Sequence, residues 1–168
     1  ALDRAGAERS AGAPLALVSA PTRALAVHIG KDAEELASHT EFRHLVVYGG
    51  TGYKQQAEAL QQQVDLVVAT PGRLMHYMRK RVIDLSQVEL LVIDEADRML
   101  DMGFIPDVRR IIGQLPPKGK RQTMLFSATL TDDVLKLAGQ WMTDPVRVEV
   151  EPEQIVAEEI DQQLYSIT

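Results

Sequence analysis

The chain has 168 residues, of which 45% are hydrophobic and 25% are charged, and this balance predicts one globular domain with a sizeable core. It contains no cysteine, which excludes disulfides and thiolate metal sites and fits a reducing cytoplasm. The formal net charge of −6 argues against a protein that binds nucleic acid through its overall charge, but it does not exclude a local positive groove. No apolar stretch approaches the roughly 20 residues of a transmembrane helix, so we expect no membrane span and a cytoplasmic location.

Short apolar runs recur along the chain, separated by amphipathic or polar stretches. The runs are rich in Val and Leu and mostly do not alternate with polar residues, which is typical of strands buried on both faces. They predict six strands, namely Leu15 to Ser19, His44 to Tyr48, Asp65 to Ala69, Leu90 to Asp94, Thr123 to Ser127 and Val146 to Val150.

The stretches between these runs have the apolar spacing or the end signals of helices. Pro71 suits the first turn of one helix, and Thr131 suits the N-cap of another. The predicted helices are Arg23 to Ser38, Tyr53 to Gln63, Pro71 to Lys80, Ile105 to Leu115 and Asp132 to Met142. Repeated alternation of strand and helix predicts an α/β fold, with a parallel sheet sandwiched between helices.

Composition divides the chain into three parts. Residues 1–13 show no clear period and are interpreted as the tail of a helix or a loop. Residues 14–150 are predicted to form the α/β domain. Residues 151–168 begin with an acidic stretch that contains Pro152 and reads as a linker, and they end in a strand-like segment that we expect to open a second domain.

The predicted strand ends hold the chemically informative residues, because α/β sheets bind ligands beyond the carboxyl ends of their strands. Five of the six predicted ends carry a polar, glycine-rich or charged cluster. In chain order these clusters are Pro21-Thr22-Arg23, Gly49-Gly50, Thr70-Pro71-Gly72-Arg73, Asp94 to Asp97, and Ser127-Ala128-Thr129.

One group of these residues is acidic or hydroxylic. Taken alone, the pair Asp94-Glu95 after a strand is only moderately specific, since acidic residues often end strands where the chain returns to water. Asp94 suits a hard ligand of a Mg²⁺ that carries nucleotide phosphates, and Glu95 suits the orientation or deprotonation of an attacking water. Ser127 and Thr129 follow what we expect to be an adjacent strand end, and they are the predicted hydrogen-bond partners of Asp97.

The other group is neutral or basic. Glycines let a backbone approach a ligand closely, and helix N-termini, hydroxyls and arginines suit phosphate oxygens. Taken together on one edge they predict a sugar–phosphate track without an aromatic platform for base stacking, although each cluster alone reads as an ordinary turn. The members are Thr22, Arg23, Gly49, Gly50, Thr70, Gly72 and Arg73.

Read in order, these motifs resemble the first RecA-like domain of a DEAD-box RNA helicase. Pro21 to Ala26 resembles motif Ia, Gly49-Gly50 the glycine doublet, and Thr70 to Arg73 the TPGR motif. Val92 to Phe104 matches motif II with its usual continuation, and Ser127 to Thr129 matches motif III. The resemblance covers most of the chain from about Leu15 onward, and the motifs are highly specific as a set.

The resemblance implies ATP-dependent separation of short RNA duplexes. It implies that Asp94 holds Mg²⁺, through water, and that Glu95 positions the hydrolytic water. It also implies that Asp97, Ser127 and Thr129 couple the ATP state to RNA remodelling. The RNA backbone would lie along Pro21, Thr22, Arg23, Gly49, Gly50, Thr70, Pro71, Gly72 and Arg73.

The sequence departs from the family pattern in ways that bear on activity. Neither Gly-Lys pair, at Gly30 and at Gly119, belongs to the G-x-x-x-x-G-K-[ST] loop that cradles phosphates, and the chain starts at Ala1. We therefore expect a fragment whose RecA-like sheet is incomplete at the N-terminus and which lacks the second RecA-like domain. Such a chain is predicted to have no ATPase of its own and to leave an apolar surface uncovered. Ala24 also stands where the family usually has Glu.

Three readings stay open at this stage: a piece of an ATP-dependent RNA helicase, an ATP-independent RNA-backbone-binding module, and an unrelated nucleotide-driven motor. The ordered motifs argue against the third. The basic clusters at Arg79 to Arg81, Arg109-Arg110 and Lys118 to Arg121 are interpreted as solvated surface. The four histidines are interpreted as structural, and Trp141 as a core residue.

Overall fold

The computed structural model describes residues 10–150. Residues 1–9, which form most of the predicted N-terminal tail, and the predicted linker of residues 151–168 lie outside the described residues. Gly12 and Ala13 are buried in a turn that packs against the domain. The Asp84 N–H donates to the Gly12 carbonyl at 2.8 Å and holds this turn in place. The three-part division of the chain itself stays a prediction.

Five of the predicted strands are present: β1 (Ala16–Ser19), β2 (His44–Val47), β3 (Leu66–Ala69), β4 (Leu90–Ile93) and β5 (Gln122–Leu125). All five predicted helices are present, at α1 (Arg23–Ala37), α2 (Tyr53–Leu60), α3 (Pro71–Arg79), α5 (Ile105–Ile112) and α6 (Asp132–Trp141). A further short helix, α4 (Ala96–Asp101), follows the acidic pair and was not predicted.

The sixth predicted strand, Val146 to Val150, is wrong. The segment is irregular, and Val146, Val148 and Val150 are 89%, 80% and 88% exposed. Alternating valines make a strand only when a neighbouring backbone supplies hydrogen bonds, and no other strand pairs with this segment among residues 10–150.

The five strands form one parallel sheet in the order β2-β3-β1-β4-β5. The register is even across the sheet, because Ser19 at the end of β1 lies opposite Ala69 of β3 and Ile93 of β4. Since the crossover helices return each strand to the same starting level, all five carboxyl ends reach one edge together. The predicted α/β architecture is therefore confirmed.

The two faces of the sheet are covered unequally. One face carries the main core, built on Leu17, Val67 and Leu91 and packed against side chains from α2, α3, α4, α5 and α6. The other face carries a smaller cluster of Val18, Val68 and Ala26, over which only α1 packs among the described helices. Toward β5 this second face ends in Met124 and Phe126, which are 37% and 50% exposed.

Helix α1 can lie against the sheet because Gly30 has no side chain. A Cβ at Gly30 would overlap the side chain of Val46 on β2. By contrast, a Cβ at Gly139, in the exposed part of α6, would meet nothing within 4 Å. The same change of residue should therefore have opposite effects in the two helices.

We predict that Gly30→Ala lowers the free energy of unfolding by about 1 kcal/mol, since overpacking against Val46 outweighs the gain in helix propensity. The matched control, Gly139→Ala, should raise it by about 0.5–1 kcal/mol. Urea unfolding followed by circular dichroism measures both. A stabilised Gly30→Ala variant would show that α1 does not rest on β2 as described.

Candidate functional site

The predicted site residues all lie along the edge formed by the carboxyl ends of the strands. Backbone hydrogen bonds hold the ends level: the Thr70 N–H donates to Val47 at 3.1 Å, and the Asp94 N–H donates to Ser19 at 3.0 Å. The strand order sorts the two chemical groups. The neutral and basic clusters follow β2, β3 and β1, whereas the acidic and hydroxylic clusters follow β4 and β5.

The acidic pair sits where the chain turns sharply from β4 into α4. One carboxylate oxygen of Asp94 accepts the Glu95 N–H at 2.8 Å, which leaves the second oxygen directed to no partner among the described residues. Glu95 adopts a left-handed backbone conformation, with φ 48° and ψ 54°, which is uncommon for a residue with a side chain. Its carboxylate pairs with Arg98 Nη1 at 3.1 Å, one turn into α4. A strained, acidic turn at a ligand edge is typical of functional sites.

Asp97 joins the start of α4 to the loop after β5. Its Oδ2 accepts both the Thr129 N–H, at 3.0 Å, and the Thr129 hydroxyl, at 2.9 Å. Its own N–H donates to the Ser127 Oγ at 3.2 Å. The interaction predicted between these three residues is therefore present in the structure. It ties together two loops that are 30 or more residues apart in the chain.

These bonds also set the protonation of Asp97. Burial alone would raise the pKa of the Asp97 carboxyl, but hydrogen bonds from the Arg98 N–H and from Thr129 outweigh it and lower the pKa below its ordinary value. The carboxylate is therefore the form that the folded structure stabilises.

On the other side of the edge, Thr22 and Arg23 begin α1. The Thr22 hydroxyl caps the helix by accepting the Leu25 N–H at 3.2 Å. Arg23 is exposed, and its guanidinium lies 4.8 Å from the centre of the Tyr48 ring, at the end of β2. The ring thus holds a cation at the edge, beside a helix N-terminus, and no carboxylate among residues 10–150 is paired with it.

Arg73, which the sequence predicts as a contact of the RNA backbone, also has partners within the protein. Its contact with RNA stays a prediction. Its guanidinium is half-buried and donates to the Thr51 carbonyl at 3.2 Å and to the Tyr77 hydroxyl at 3.4 Å. That hydroxyl lies 3.1 Å from Gln56 Oε1. Arg73 therefore braces the loop that follows Gly50, in addition to whatever face it offers a ligand.

The glycine doublet forms the exposed crest of that loop. Gly50 has φ +84°, which a residue with a side chain rarely adopts, and neither glycine has a neighbour that would block close approach of a ligand. Gln56 fixes the loop from behind by donating to the Tyr48 carbonyl and to the Thr51 hydroxyl, at 3.3 and 2.6 Å.

A shallow depression of about 620 Å³ opens between these clusters, and aromatic rings line part of it. The sequence predicts a sugar–phosphate track without an aromatic platform for base stacking, and the structure places three aromatic side chains beside the residues of that track. Six of the nine lining residues belong to the strand-end clusters, and the other three are aromatic. The full set is Pro21, Arg23, Gly49, Tyr53, Thr70, Gly72, Arg73, His76 and Phe104. The helical spacing of Gly72, Arg73 and His76 on α3 could have indicated that His76 shares this face.

Lys118, Arg121 and Trp141 have structural partners near the end of α6. Lys118 donates to the Met142 carbonyl at 3.2 Å, and Arg121 donates to the carbonyls of Pro116 and Trp141, so this basic cluster holds the end of α6. Trp141 is 5% exposed, which confirms it as a core residue.

The described residues can be compared with the requirements of a metal ion and of a membrane. No group of three or more His, Cys, Asp or Glu side chains within residues 10–150 could enclose a metal ion. The donors do fit a Mg²⁺ that keeps most of its waters, because such an ion needs only one or two carboxylates and Asp94 has an oxygen to spare. No helix in this part of the chain is long and apolar enough to cross a membrane.

The described residues form an α/β domain whose parallel sheet carries an acidic turn and a neutral and basic group along one edge. Comparison with known proteins assigns this domain to the RecA-like class. The DEAD/DEAH box helicase family pattern matches residues 1–137. The chain belongs to this family. Two solved structures share the fold at 32% identity: a DEAD box protein from Methanococcus jannaschii, with a TM-score of 0.73 over 79% of this chain, and the yeast splicing factor Prp28, with a TM-score of 0.74 over 83%.

Among curated proteins the chain is similar to bacterial proteins named ATP-dependent RNA helicase RhlB. It is 51% identical to that of Pseudomonas putida over 161 residues, and 47% identical to that of Xanthomonas axonopodis pv. citri over 160 residues. The alignment covers 95% of this chain in both cases, but only 40% and 28% of the relatives. It covers 36% and 34% of the two structural neighbours.

We predict that Asp97→Asn lowers the free energy of unfolding at pH 7 by about 1 kcal/mol, because it weakens the bonds to Thr129. A lowered folded-state pKa gives stability that is present above the ordinary aspartate pKa and is lost as pH falls through the folded value. The difference from the wild-type chain should therefore shrink below about pH 4. Urea unfolding between pH 3 and 7 measures it.

The control for this prediction is Asp101→Asn, which removes the same charge from the exposed end of the same helix. It should leave the pH dependence unchanged. An Asp97→Asn curve parallel to that of the wild type at every pH would contradict the placement of Asp97 between the two loops.

Proposed function

We propose that this chain is part of an ATP-dependent RNA helicase that couples Mg-ATP hydrolysis to the unwinding of RNA duplexes. The observation that carries the proposal is the common edge, where an acidic half after β4 and β5 adjoins a neutral and basic half after β2, β3 and β1. A motor needs one side that responds to a nucleotide and another that holds the nucleic acid, and this edge offers both on one rigid sheet.

In the acidic half, Asp94 is the proposed ligand of Mg²⁺, through water, and Glu95 is the proposed positioning group for the attacking water. The ion would supply charge neutralisation to the transferred phosphate. The Glu95 carboxylate is paired with Arg98 at the surface, so it would have to exchange this partner for the water.

Asp97 is the proposed coupling residue. It lies three residues after Asp94, and its carboxylate accepts hydrogen bonds from Thr129. A displacement of the acidic turn would therefore be transmitted to the loop after β5 through charge-assisted bonds. Because β4 and β5 are paired side by side, that loop has little freedom to absorb the displacement.

In the other half, RNA is proposed to lie along the N-terminus of α1, the glycine crest and the N-terminus of α3. Backbone N–H groups at helix starts and the cation of Arg23 favour phosphate oxygens. Contacts of this kind position a strand without reading its sequence. The second half of the RNA cleft belongs, in this proposal, to a second RecA-like domain, and the predicted cytoplasmic location stays a prediction.

The 168 residues contain no G-x-x-x-x-G-K-[ST] loop, so the described edge offers no lysine and no amide cradle for the β and γ phosphates. The isolated chain is accordingly proposed to bind RNA without hydrolysing ATP. The alternative function, an RNA-binding module that never uses ATP, shares this behaviour in isolation and differs only in the intact protein.

We predict that Arg23→Ala weakens binding of single-stranded RNA about five-fold near physiological salt, since one phosphate contact is lost. It should also make the slope of log K against log salt less negative by about 0.7. Fluorescence anisotropy with a labelled oligoribonucleotide, repeated over a salt series and with and without Mg-ATP, measures both effects.

The matched control is Arg79→Ala, which removes one exposed arginine from the C-terminal end of α3, away from the edge. Its affinity and salt slope should equal those of the wild type. Equal losses in the two variants would mean that RNA binds by general charge and not along the proposed track.

A further prediction concerns turnover. The purified chain should release no phosphate from Mg-ATP above the level of its Glu95→Gln variant, with or without RNA, because the phosphate cradle is lacking. A malachite-green or coupled assay measures the rates. Mg-dependent turnover that disappears in Glu95→Gln would contradict the proposed inactivity, and it would support the catalytic role of Glu95.

A further inference from the structure

We propose that the depression between the glycine crest and α3 takes an unstacked nucleobase of the bound RNA strand. This inference rests on the proposed RNA track, and it goes beyond it, because a pure backbone track would make no use of the bases. The depression holds about 620 Å³, which is ample for one base, and it opens directly beside Arg23 and Gly49.

The walls of the depression are chemically uneven. Arg23, Gly49 and Thr70 face it from the track, and they suit a sugar and a phosphate. The lining also includes the aromatic residues Tyr53, His76 and Phe104, and it is mostly apolar. Rings beside cations are the combination that single-stranded nucleic acid binders use, since every base has a π-face.

The aromatic wall is held in place before any ligand arrives. The Tyr53 ring stacks on that of Tyr77, with centroids 5.1 Å apart and an angle of 27° between the planes. His76 meets Tyr53 edge-on at 5.0 Å. Tyr77 is buried, and its hydroxyl is fixed between Gln56 and Arg73. Because these rings are already ordered, a base that packs against them would lose little to the ordering of side chains.

The remaining wall comes from Phe104, half-buried at the start of α5, whose N–H donates to the Met99 carbonyl at 2.9 Å. This bond fixes Phe104 to the end of α4, the helix that begins after the acidic pair. The proposed base site is thus bounded by residues of the neutral and basic half, by the aromatic residues of α2 and α3, and by Phe104, which precedes α5.

The polar groups of the depression do not favour one base over another. The two Arg73 donors nearest the rings are already engaged with Thr51 and Tyr77, which leaves stacking as the main source of binding energy. The site should therefore accept any base and add affinity without sequence specificity, in agreement with a track that does not read sequence.

The test compares two labelled strands of about ten nucleotides, an oligouridylate and a stable abasic analogue with the same sugar–phosphate backbone. Oligouridylate is chosen because free uridine stacks weakly, so loss of its bases changes the free strand little. The wild-type chain should bind the oligouridylate about ten-fold more tightly than the abasic strand.

Variants assign this difference to the depression. His76→Ser, at an exposed position that should not affect folding, is expected to reduce the preference for the oligouridylate several-fold while the abasic strand binds unchanged. Phe104→Leu should act in the same direction. His39→Ser, an exposed histidine at the far end of α1, is the matched control and should change neither affinity.

The outcomes separate the base site from the RNA track. If both strands bind equally and His76→Ser alters neither, the track stands and the base site is overturned. If neither strand binds the wild-type chain, the proposed RNA function fails and the base site fails with it. A preference for the oligouridylate that survives both His76→Ser and Phe104→Leu would place base contacts elsewhere and would overturn the assignment.

Discussion

The even, parallel pairing of five strands around β1 is the constraint on which the rest of this structure depends. Because Ser19, Ala69 and Ile93 lie opposite one another, the segments that follow their strands leave the sheet at one level and meet at one edge. A shift of β4 by one residue would turn Leu91 and Ile93 out of the main core and would move the acidic turn away from Ser127. The buried apolar residues thus fix the position of the polar ones.

Within that frame, two kinds of contact organise the edge. Around Asp97 and Thr129, charge-assisted bonds join the loops after β4 and β5, so the acidic half behaves as one unit. Around Arg73, hydrogen bonds to Thr51 and Tyr77 join α3 to the glycine loop, so these two parts of the basic half are fixed relative to each other. If the proposed function is right, a half that is internally braced would hold the RNA backbone in a fixed shape.

Much of this could be read from the sequence, since hydrophobic runs and turn residues report directly on strands, helices and the order of the clusters. The partnership of Asp97 with Ser127 and Thr129 was predictable because both segments follow strands of one sheet. Three features were not. Helix α4 is only six residues long and follows a strained Glu95, so it is too short to show a helical period of apolar residues. Val146 to Val150 has the pattern of a strand, but pairing depends on a neighbour that no local pattern contains. Arg73 donates to the Thr51 carbonyl of the glycine loop, 22 residues earlier in the chain, and no local pattern indicates that bond.

The central claim is that RNA binds to one half of the edge and leaves the acidic half alone. Titration of the ¹⁵N-labelled chain with single-stranded RNA, without nucleotide, tests it most directly through backbone amide shifts. We expect the largest shifts at Thr22, Arg23, Gly49, Gly50, Thr70, Gly72 and Arg73, with little change at Asp94 to Asp97. Shifts concentrated at Lys118 to Arg121, or at the acidic turn, would contradict the claim.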